Sequence, residues 1–87
     1  MSTPPLLTFP VDYPIKVVGR SGEPLRQLTE QIVLRHAPDY DVARTSERLS
    51  ANGNFVSISY TIRAVSAEQV TALAAELTGC EAVLLVL

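Results

Sequence analysis

The sequence predicts an α+β domain in which two helices cover one face of a four-stranded antiparallel sheet. The predicted elements follow the order strand, helix, strand, strand, helix, strand. The dipeptide Asn52-Gly53 is typical of a hairpin turn, which makes the two middle strands antiparallel neighbours. Each helix between two strands requires a crossover connection, and such crossovers are right-handed. Together these rules give a ferredoxin-like βαββαβ sandwich.

Size and composition restrict the chain to one small domain. It has 87 residues, 47% of them hydrophobic and 18% charged, with a formal net charge of −2. These values are typical of globular chains and exclude an acidic disordered one. No apolar run reaches the ~20 residues that a membrane-spanning helix needs, and no basic start with an apolar stretch marks a secretory signal. We therefore expect a cytoplasmic protein that does not enter a membrane.

Residues 1–12 are predicted to form an extended N-terminal arm, and residues 13–87 the single folded domain. Three prolines in the arm disfavour a helix there. The apolar residues of the arm are expected to lie on the domain surface: Leu6, Leu7 and Phe9.

The first strand is predicted at Tyr13–Gly19, where β-branched residues are frequent. Because side chains alternate along a strand, Ile15 and Val17 lie on one face, and Lys16 and Val18 on the other.

The first helix is predicted to begin near Pro24, which suits a first helical turn. Ser21 or Glu23 is expected to satisfy the free amides there. The helix must end near Ala37, because Pro38 disfavours its continuation. Four residues follow at helical spacing, with Val33 beside them: Leu25, Leu28, Ile32 and His36.

The two middle strands differ in their polarity. The second, within Asp41–Ala51, is polar on both faces, which suits a sheet edge. After the two-residue turn at Asn52-Gly53, the third strand alternates without a break. Its apolar set is Val56, Ile58, Tyr60, Ile62 and Ala64, and its polar set is Ser57, Ser59, Thr61 and Arg63.

The second helix is predicted to begin with a capping box, in which Ser66 and Gln69 satisfy each other's free amides. Gly79 is placed to end the helix in the left-handed conformation. The buried stripe of this helix is Val70, Leu73, Ala74 and Leu77. An apolar strand, Ala82–Leu87, follows.

In this fold the first and third strands are central, and the second and fourth are edges. The predicted core consists of the apolar residues on the inward faces: Ile15, Val17, Leu25, Leu28, Ile32, Val56, Ile58, Tyr60, Ile62, Val70, Leu73 and Leu77.

The last strand is apolar on both faces, although an edge strand should have one face in water. Proteins usually cover long apolar edges. Two covers are consistent with the sequence: the N-terminal arm, or a second subunit in a weak homodimer. The uncovered sheet face also carries Val18 and Phe55, so an apolar patch is expected there.

The sequence offers little catalytic chemistry. His36 is the single histidine; it either pairs with Asp39 or Asp41 in a catalytic role or, as we favour, offsets the dipole at a helix end. Cys80 is the single cysteine and is expected to be an apolar filler. One histidine and one cysteine are too few to form a typical metal site. We therefore expect no metal, no cofactor and no catalytic residues.

The sequence bears on two binding functions. Backbone amides of the turn Gly19-Arg20-Ser21-Gly22 could hold an anion beside a helix start. Nucleic-acid readers of this fold stack bases on sheet aromatics flanked by Lys and Arg. Here Phe55 stands alone and the net charge is −2, so no nucleic-acid partner is expected.

Several segments together resemble the YbeD-like family of small bacterial proteins of unknown function. They span nearly the whole chain: Leu6-Leu7-Thr8-Phe9-Pro10, Tyr13-Pro14-Ile15-Lys16-Val17-Val18-Gly19, His36-Ala37-Pro38, Ser50-Ala51-Asn52-Gly53-Asn54-Phe55 and Val86-Leu87. The resemblance implies an ACT-like fold, a bacterial cytoplasmic protein and a link to lipoate metabolism, and it implies no catalytic residues. The turn after Gly19 departs from the Asp-x-Pro-Gly pattern of amino-acid-binding ACT domains.

A site shared with that family is expected at Lys16, His36 and the Asn52-Gly53 hairpin. The residues and the resemblance favour a non-enzymatic regulatory or protein-interaction module, whose partner is an unknown protein or a second copy bound through the sheet. The alternative is an ACT-like sensor domain that binds a small molecule. The full set of candidate surface residues is Lys16, Gly19, Arg20, Ser21, Gly22, His36, Asn52, Gly53 and Phe55.

Overall fold

A computed structural model describes residues 8–87 and confirms the predicted ferredoxin-like architecture. Its elements are β1 (Val11–Arg20), α1 (Leu25–His36), β2 (Ser46–Leu49), β3 (Phe55–Ala64), α2 (Ala67–Gly79) and β4 (Val83–Val86). A short 3₁₀ helix, Val42–Arg44, precedes β2. The four strands form one sheet in the order β2-β3-β1-β4, and every neighbouring pair is antiparallel. As predicted, β1 and β3 are central.

The pairing of β1 with β3 is the longest in the sheet. It runs without a break from the pair Val11–Ala64 to the pair Arg20–Phe55. On its other side β1 holds β4, where the N–H of Lys16 donates to the Leu87 carbonyl at 3.0 Å and the N–H of Leu87 donates to the Lys16 carbonyl at 2.8 Å. This register fixes which side chains of the three strands share a face.

The core lies between the sheet and the two helices. Ten of the predicted core residues are buried there: Ile15, Val17, Leu25, Ile32, Val56, Ile58, Tyr60, Ile62, Leu73 and Leu77. Val70 is half-buried and packs against them, whereas the prediction for Leu28 is wrong, because its side chain is 38% exposed. Thr29 and Val33 are buried in its place.

A polar network explains why α1 buries Thr29. The threonine hydroxyl donates to the Leu25 carbonyl at 2.8 Å and lies 2.7 Å from the Tyr60 hydroxyl, so both buried oxygens are satisfied. Tyr40 packs edge-on against Tyr60, with ring centroids 5.8 Å apart, and its hydroxyl donates to Glu30. Burial, followed by the bond to Glu30, raises the pKa of Tyr40 to about 12. Both tyrosines therefore belong to the helix-covered side of the sheet.

Two predicted boundaries around the strands are wrong. Strand β1 begins at Val11, inside the segment predicted as arm, because it pairs with the full length of β3. The second strand, four residues long, lies within the predicted segment Asp41–Ala51. Its hairpin turn is also longer than two residues: the N–H of Ser50 donates to the Phe55 carbonyl, and Gly53 takes a φ of +76° inside the loop. Of the arm's apolar residues, Phe9 packs on the core, and Leu6 and Leu7 lie outside the described residues.

The helix ends match the prediction only in part. The capping box is confirmed, since the N–H of Gln69 donates to Ser66 Oγ at 3.1 Å, although the Gln69 side chain accepts from the N–H of Val65. Helix α1 begins after Pro24 without the side-chain cap expected from Ser21 or Glu23. Gly79 is the last residue of α2 and does not adopt the left-handed conformation, because α2 continues directly into an extended backbone at Cys80.

Gly19 lies where three elements meet, and this contact generates a prediction. A Cβ at this position would lie 2.5 Å from the Ala82 carbonyl oxygen and 2.8 Å from Leu25 Cδ1. Because the backbone carbonyl cannot move without disturbing β4, Gly19→Ala should lower the free energy of unfolding by ~1–3 kcal/mol, as overpacking usually does. Urea denaturation measures this loss.

The matched control for that prediction is Gly79→Ala. A Cβ there has no neighbour within 4 Å among the described residues, and its φ is not left-handed. Alanine also has the higher helix propensity, so stability should stay level or rise by up to ~1 kcal/mol. Equal losses for the two variants would contradict the proposed close packing at Gly19.

Candidate functional site

The face of the sheet opposite the helices is the main candidate for a functional surface, and we call it the open face. Neither helix of the described part of the chain packs on it, so its side chains are exposed or half-buried. Alternation and register assign the following residues to it: Asp12, Pro14, Lys16, Val18 and Arg20 of β1; Phe55, Ser57, Ser59, Thr61 and Arg63 of β3; Ser46 and Arg48 of β2; and Leu85 and Leu87 beside β1.

An apolar patch occupies one end of the open face. It consists of Val18, Phe55, Leu85 and Leu87. Val18 lies directly opposite Leu85 and is diagonal to both Phe55 and Leu87. Phe55 is 44% exposed, Leu85 50% and Leu87 66%, which is high for large apolar side chains grouped together. The apolar patch predicted from Val18 and Phe55 is therefore present, and β4 enlarges it.

A shallow depression of about 290 Å³ lies within this patch. Val18, Phe55 and Leu87 form its apolar floor, together with Leu49 at the end of β2. Lys16 and Arg48 line the same depression. The site thus combines an apolar floor with two cationic side chains.

The exposed edge of β4 adjoins the patch. The strand has four residues, and its register with β1 shifts between Val18 and Gly19. Val83 points into the core, whereas Leu84 is 49% exposed beside the edge. Among residues 8–87 no strand pairs with the outer side of β4. A short, irregular edge of this kind limits uncontrolled strand addition but leaves backbone groups free for a specific partner.

The structure brings two of the sequence-predicted segments together. The N–H of Ser21 donates to the Asn54 carbonyl at 3.0 Å, and the Ser21 hydroxyl donates to the Gly53 carbonyl. The turn after β1 and the Asn52-Gly53 hairpin therefore meet at one end of the sheet. Gly22 takes a φ of +92° there, which favours glycine. Both hydrogen-bond donors of Ser21 are bound within the chain, so neither is available to bind an anion.

His36 lies away from these segments, in the helix layer. Its Nε2 is 2.6 Å from Glu76 Oε1, and Arg35 binds the other oxygen of the same carboxylate. The side-chain amide of Gln69 donates to the His36 carbonyl at 2.8 Å. His36 is the last residue of α1, and its ring contacts a carboxylate of α2, a partner that no sequence motif indicated. Neither Asp39 nor Asp41 bonds to its ring within the described chain.

Cys80 and the possible metal ligands are the remaining candidates. Cys80 is half-buried and packs against the core. Within residues 8–87, no three His, Cys, Asp or Glu side chains come together in a way that would hold a metal ion. None of the helices in that same range has the length and apolar character to cross a bilayer.

Sequence reasoning did not single out Arg48, Leu85 and Leu87 as parts of the site. Their place depends on strand register, which brings β2 and β4 to either side of β1 and β3. The continuous apolar run of the last strand was the available signal for the two leucines.

Comparison of the fold with solved structures finds the ACT domain from the GTP pyrophosphokinase of Chlorobium tepidum. The two share a TM-score of 0.60 with 18% sequence identity, over 88% of this chain and 97% of that domain. At this identity the likeness concerns the fold alone, and it confirms the ACT-like architecture that the resemblance implied.

Curated relatives are found among small bacterial proteins. The chain is 42% identical over 85 residues to a UPF0250 protein of Ectopseudomonas mendocina, covering 97% of this chain and 92% of the relative. It is 36% identical over 83 residues to a UPF0250 protein of Hahella chejuensis, covering 95% and 91%. The family described as "Protein of unknown function (DUF493)" matches residues 4–87. The chain therefore belongs to this small bacterial family, the one that the sequence resemblance indicated.

Proposed function

We propose that this protein is a non-enzymatic interaction module of the bacterial cytoplasm, which binds a protein partner through the open face and thereby regulates it. The observation that carries the proposal is the apolar patch on a sheet face that neither described helix covers. An exposed cluster of large apolar side chains, with polar residues around it, is typical of a protein-binding surface.

The arrangement of the patch supports binding rather than a packing defect. Phe55 and Leu85 stand on the two strands that flank β1, so the patch is held by three paired strands. A rigid platform of this kind needs little reordering when a partner binds, which lowers the entropic cost of association. The neighbouring edge of β4 offers backbone groups to a partner or to a second copy.

The absence of a catalytic arrangement among residues 8–87 is consistent with this proposal. The ring of His36 is joined to Glu76, and Cys80 packs on the core. Activation of a nucleophile requires a base within hydrogen-bonding reach, and a metal-assisted reaction requires a set of ligands. Neither arrangement accompanies the apolar patch.

Affinity capture from a bacterial lysate tests the proposal with three baits. The variant carrying Phe55→Ser and Leu85→Ser removes the centre of the patch, while both positions are exposed and should leave the fold intact. Leu34→Ser is the matched control, because Leu34 is 45% exposed on α1, away from the open face. We expect wild type and the Leu34 variant to retain proteins that the double variant loses.

Each bait is first checked by thermal denaturation, and sedimentation over a dilution series shows whether the retained partner is a second copy. Capture of the same proteins by all three baits, from chains of equal stability, would contradict a binding role for the open face.

A second candidate function is an ACT-like small-molecule sensor, and the depression beside Lys16 and Arg48 favours it. A carboxylate or phosphate ligand with an apolar portion would match both cations and the floor formed by Val18 and Leu87. The proposed link to lipoate metabolism belongs to this candidate, since lipoate has both features.

Thermal-shift measurements with amino acids, lipoate and phosphorylated metabolites test the sensor function. A ligand present at 100 times its dissociation constant should stabilise the chain by about 2.7 kcal/mol. If the sensor function is correct, one compound raises the melting temperature of wild type and of Arg35→Ala, but not of Lys16→Ala. Equal shifts in all three proteins, or none with any compound, would count against it.

A further inference from the structure

The cations of the chain fall into two groups that differ in their partners. Three of the seven Lys and Arg residues form ion pairs with carboxylates of the same chain: Arg26 with Glu47, Arg35 with Glu76, and Arg44 with Asp12 and Asp41. The other four form no ion pair within residues 8–87, and all four belong to the open face: Lys16, Arg20, Arg48 and Arg63.

Carboxylates show the opposite distribution. The chain has nine Asp and Glu residues, yet Asp12 is the one side-chain carboxylate that register assigns to the open face. Asp12 is already bound to Arg44, whose Nη1 lies 3.0 Å from its Oδ2. Counted over side chains, the open face is therefore positively charged, although the whole chain has a net charge of −2.

Three of the four unpaired cations, Lys16, Arg20 and Arg48, lie beside the apolar patch, whereas Arg63 lies near the other end of β3, opposite Asp12. Lys16 and Arg48 line the depression together with Phe55. Arg20 stands directly opposite Phe55 at the end of β1. A complementary surface must therefore present apolar side chains with carboxylates beside them, since charge complementarity at an interface rim guides association and excludes wrong partners.

A second copy of this chain does not offer such a surface through the open face. In a twofold dimer the open face of one copy meets the open face of the other, which would bring the unpaired cations of both copies into one interface, with Asp12 as the one side-chain carboxylate of each face. Contact between the open face and the helix side of another copy would be a head-to-tail arrangement, which builds rings or filaments rather than a twofold dimer. The charge distribution thus favours a different protein as the occupant.

The spacing of the cations favours a polypeptide over a small anion. Lys16 and Arg20 are four residues apart on one strand, a separation of roughly 13 Å at the rise of a β-strand. A nucleic acid would also span this distance, but Phe55 is the sole aromatic residue on the described open face, and aliphatic side chains form the rest of the patch. Proteins that bind single-stranded nucleic acid usually stack successive bases on several aromatic side chains, and this face offers one.

We propose that the open face binds an acidic segment of another protein, in which aliphatic or aromatic side chains alternate with Asp or Glu. The apolar side chains of this segment pack on Val18, Phe55 and Leu85, and its carboxylates pair with Lys16, Arg20 and Arg48. This inference rests on the proposed function, because it specifies the partner of the same surface.

Selection from a displayed library of random 12-residue peptides tests the inference, with wild-type protein as the target. We expect the selected peptides to be enriched in Asp and Glu together with Leu, Ile or Phe. Their affinity should fall about tenfold or more in the variant Lys16→Glu with Arg48→Glu, because rim attraction becomes repulsion. Raised salt should also weaken the binding of these peptides to wild type, because it screens the attraction between the charges.

The matched control is the variant with Arg26→Glu and Arg35→Glu. It changes the net charge by the same amount, but both positions lie on α1. This control variant should bind the selected peptides as tightly as wild type does. A second result would overturn the acidic partner but not the interaction surface. In that result the selected peptides show no enrichment in Asp or Glu, and they bind less tightly to the variant with Phe55→Ser and Leu85→Ser than to wild type. Peptides unaffected by either open-face variant would overturn both.

Two further outcomes identify other occupants of the face. A homodimer that Lys16→Glu with Arg48→Glu strengthens would mean that a second copy covers it, and would overturn the inference. Binding of a single-stranded RNA oligonucleotide that competes with the selected peptides and depends on Phe55 would overturn it in favour of nucleic acid.

Discussion

The double pairing of β1 is the constraint on which the rest of the structure depends. This strand bonds to β3 along its whole length and to β4 over its second half. Every inward side chain of β1 and β3 then faces the helices, and every outward one faces away from them. Gly19 permits this arrangement where β1, α1 and the segment before β4 meet, because a side chain there would collide with the Ala82 carbonyl.

The two faces of the sheet consequently have different chemistry. On the helix side, even the polar groups are satisfied internally, as in the contact between Thr29 and Tyr60. On the open face, large apolar side chains are exposed and the cations lack partners within the described chain. A contiguous group of exposed apolar side chains marks an interaction site. The proposed binding of an acidic, apolar segment accounts for both with one occupant.

How much the sequence could predict differs between elements. The alternation from Val56 to Ala64 predicted β3 and its faces, because a half-buried strand requires period two. The buried side of α1 could not be derived in the same way: Thr29 is polar, and its burial depends on the Tyr60 hydroxyl from a distant strand. The open face was predicted from Val18 and Phe55, whereas the roles of Arg48 and Leu85 required the register of neighbouring strands. The contact of His36 with Glu76 likewise depends on how the two helices pack.

The central claim is that the open face is exposed to solvent. Paramagnetic relaxation of methyl protons by a neutral gadolinium chelate in the buffer tests this claim most directly. The measurement uses methyl-labelled protein at a concentration where the chain sediments as a monomer. The account predicts strong relaxation of the methyl groups of Val18, Leu85 and Leu87, and weak relaxation of those of Val17 and Ile58, which are fully buried. Protection of Val18 and Leu85 equal to that of Val17 would contradict it, because the face proposed as open would then be covered by the chain itself.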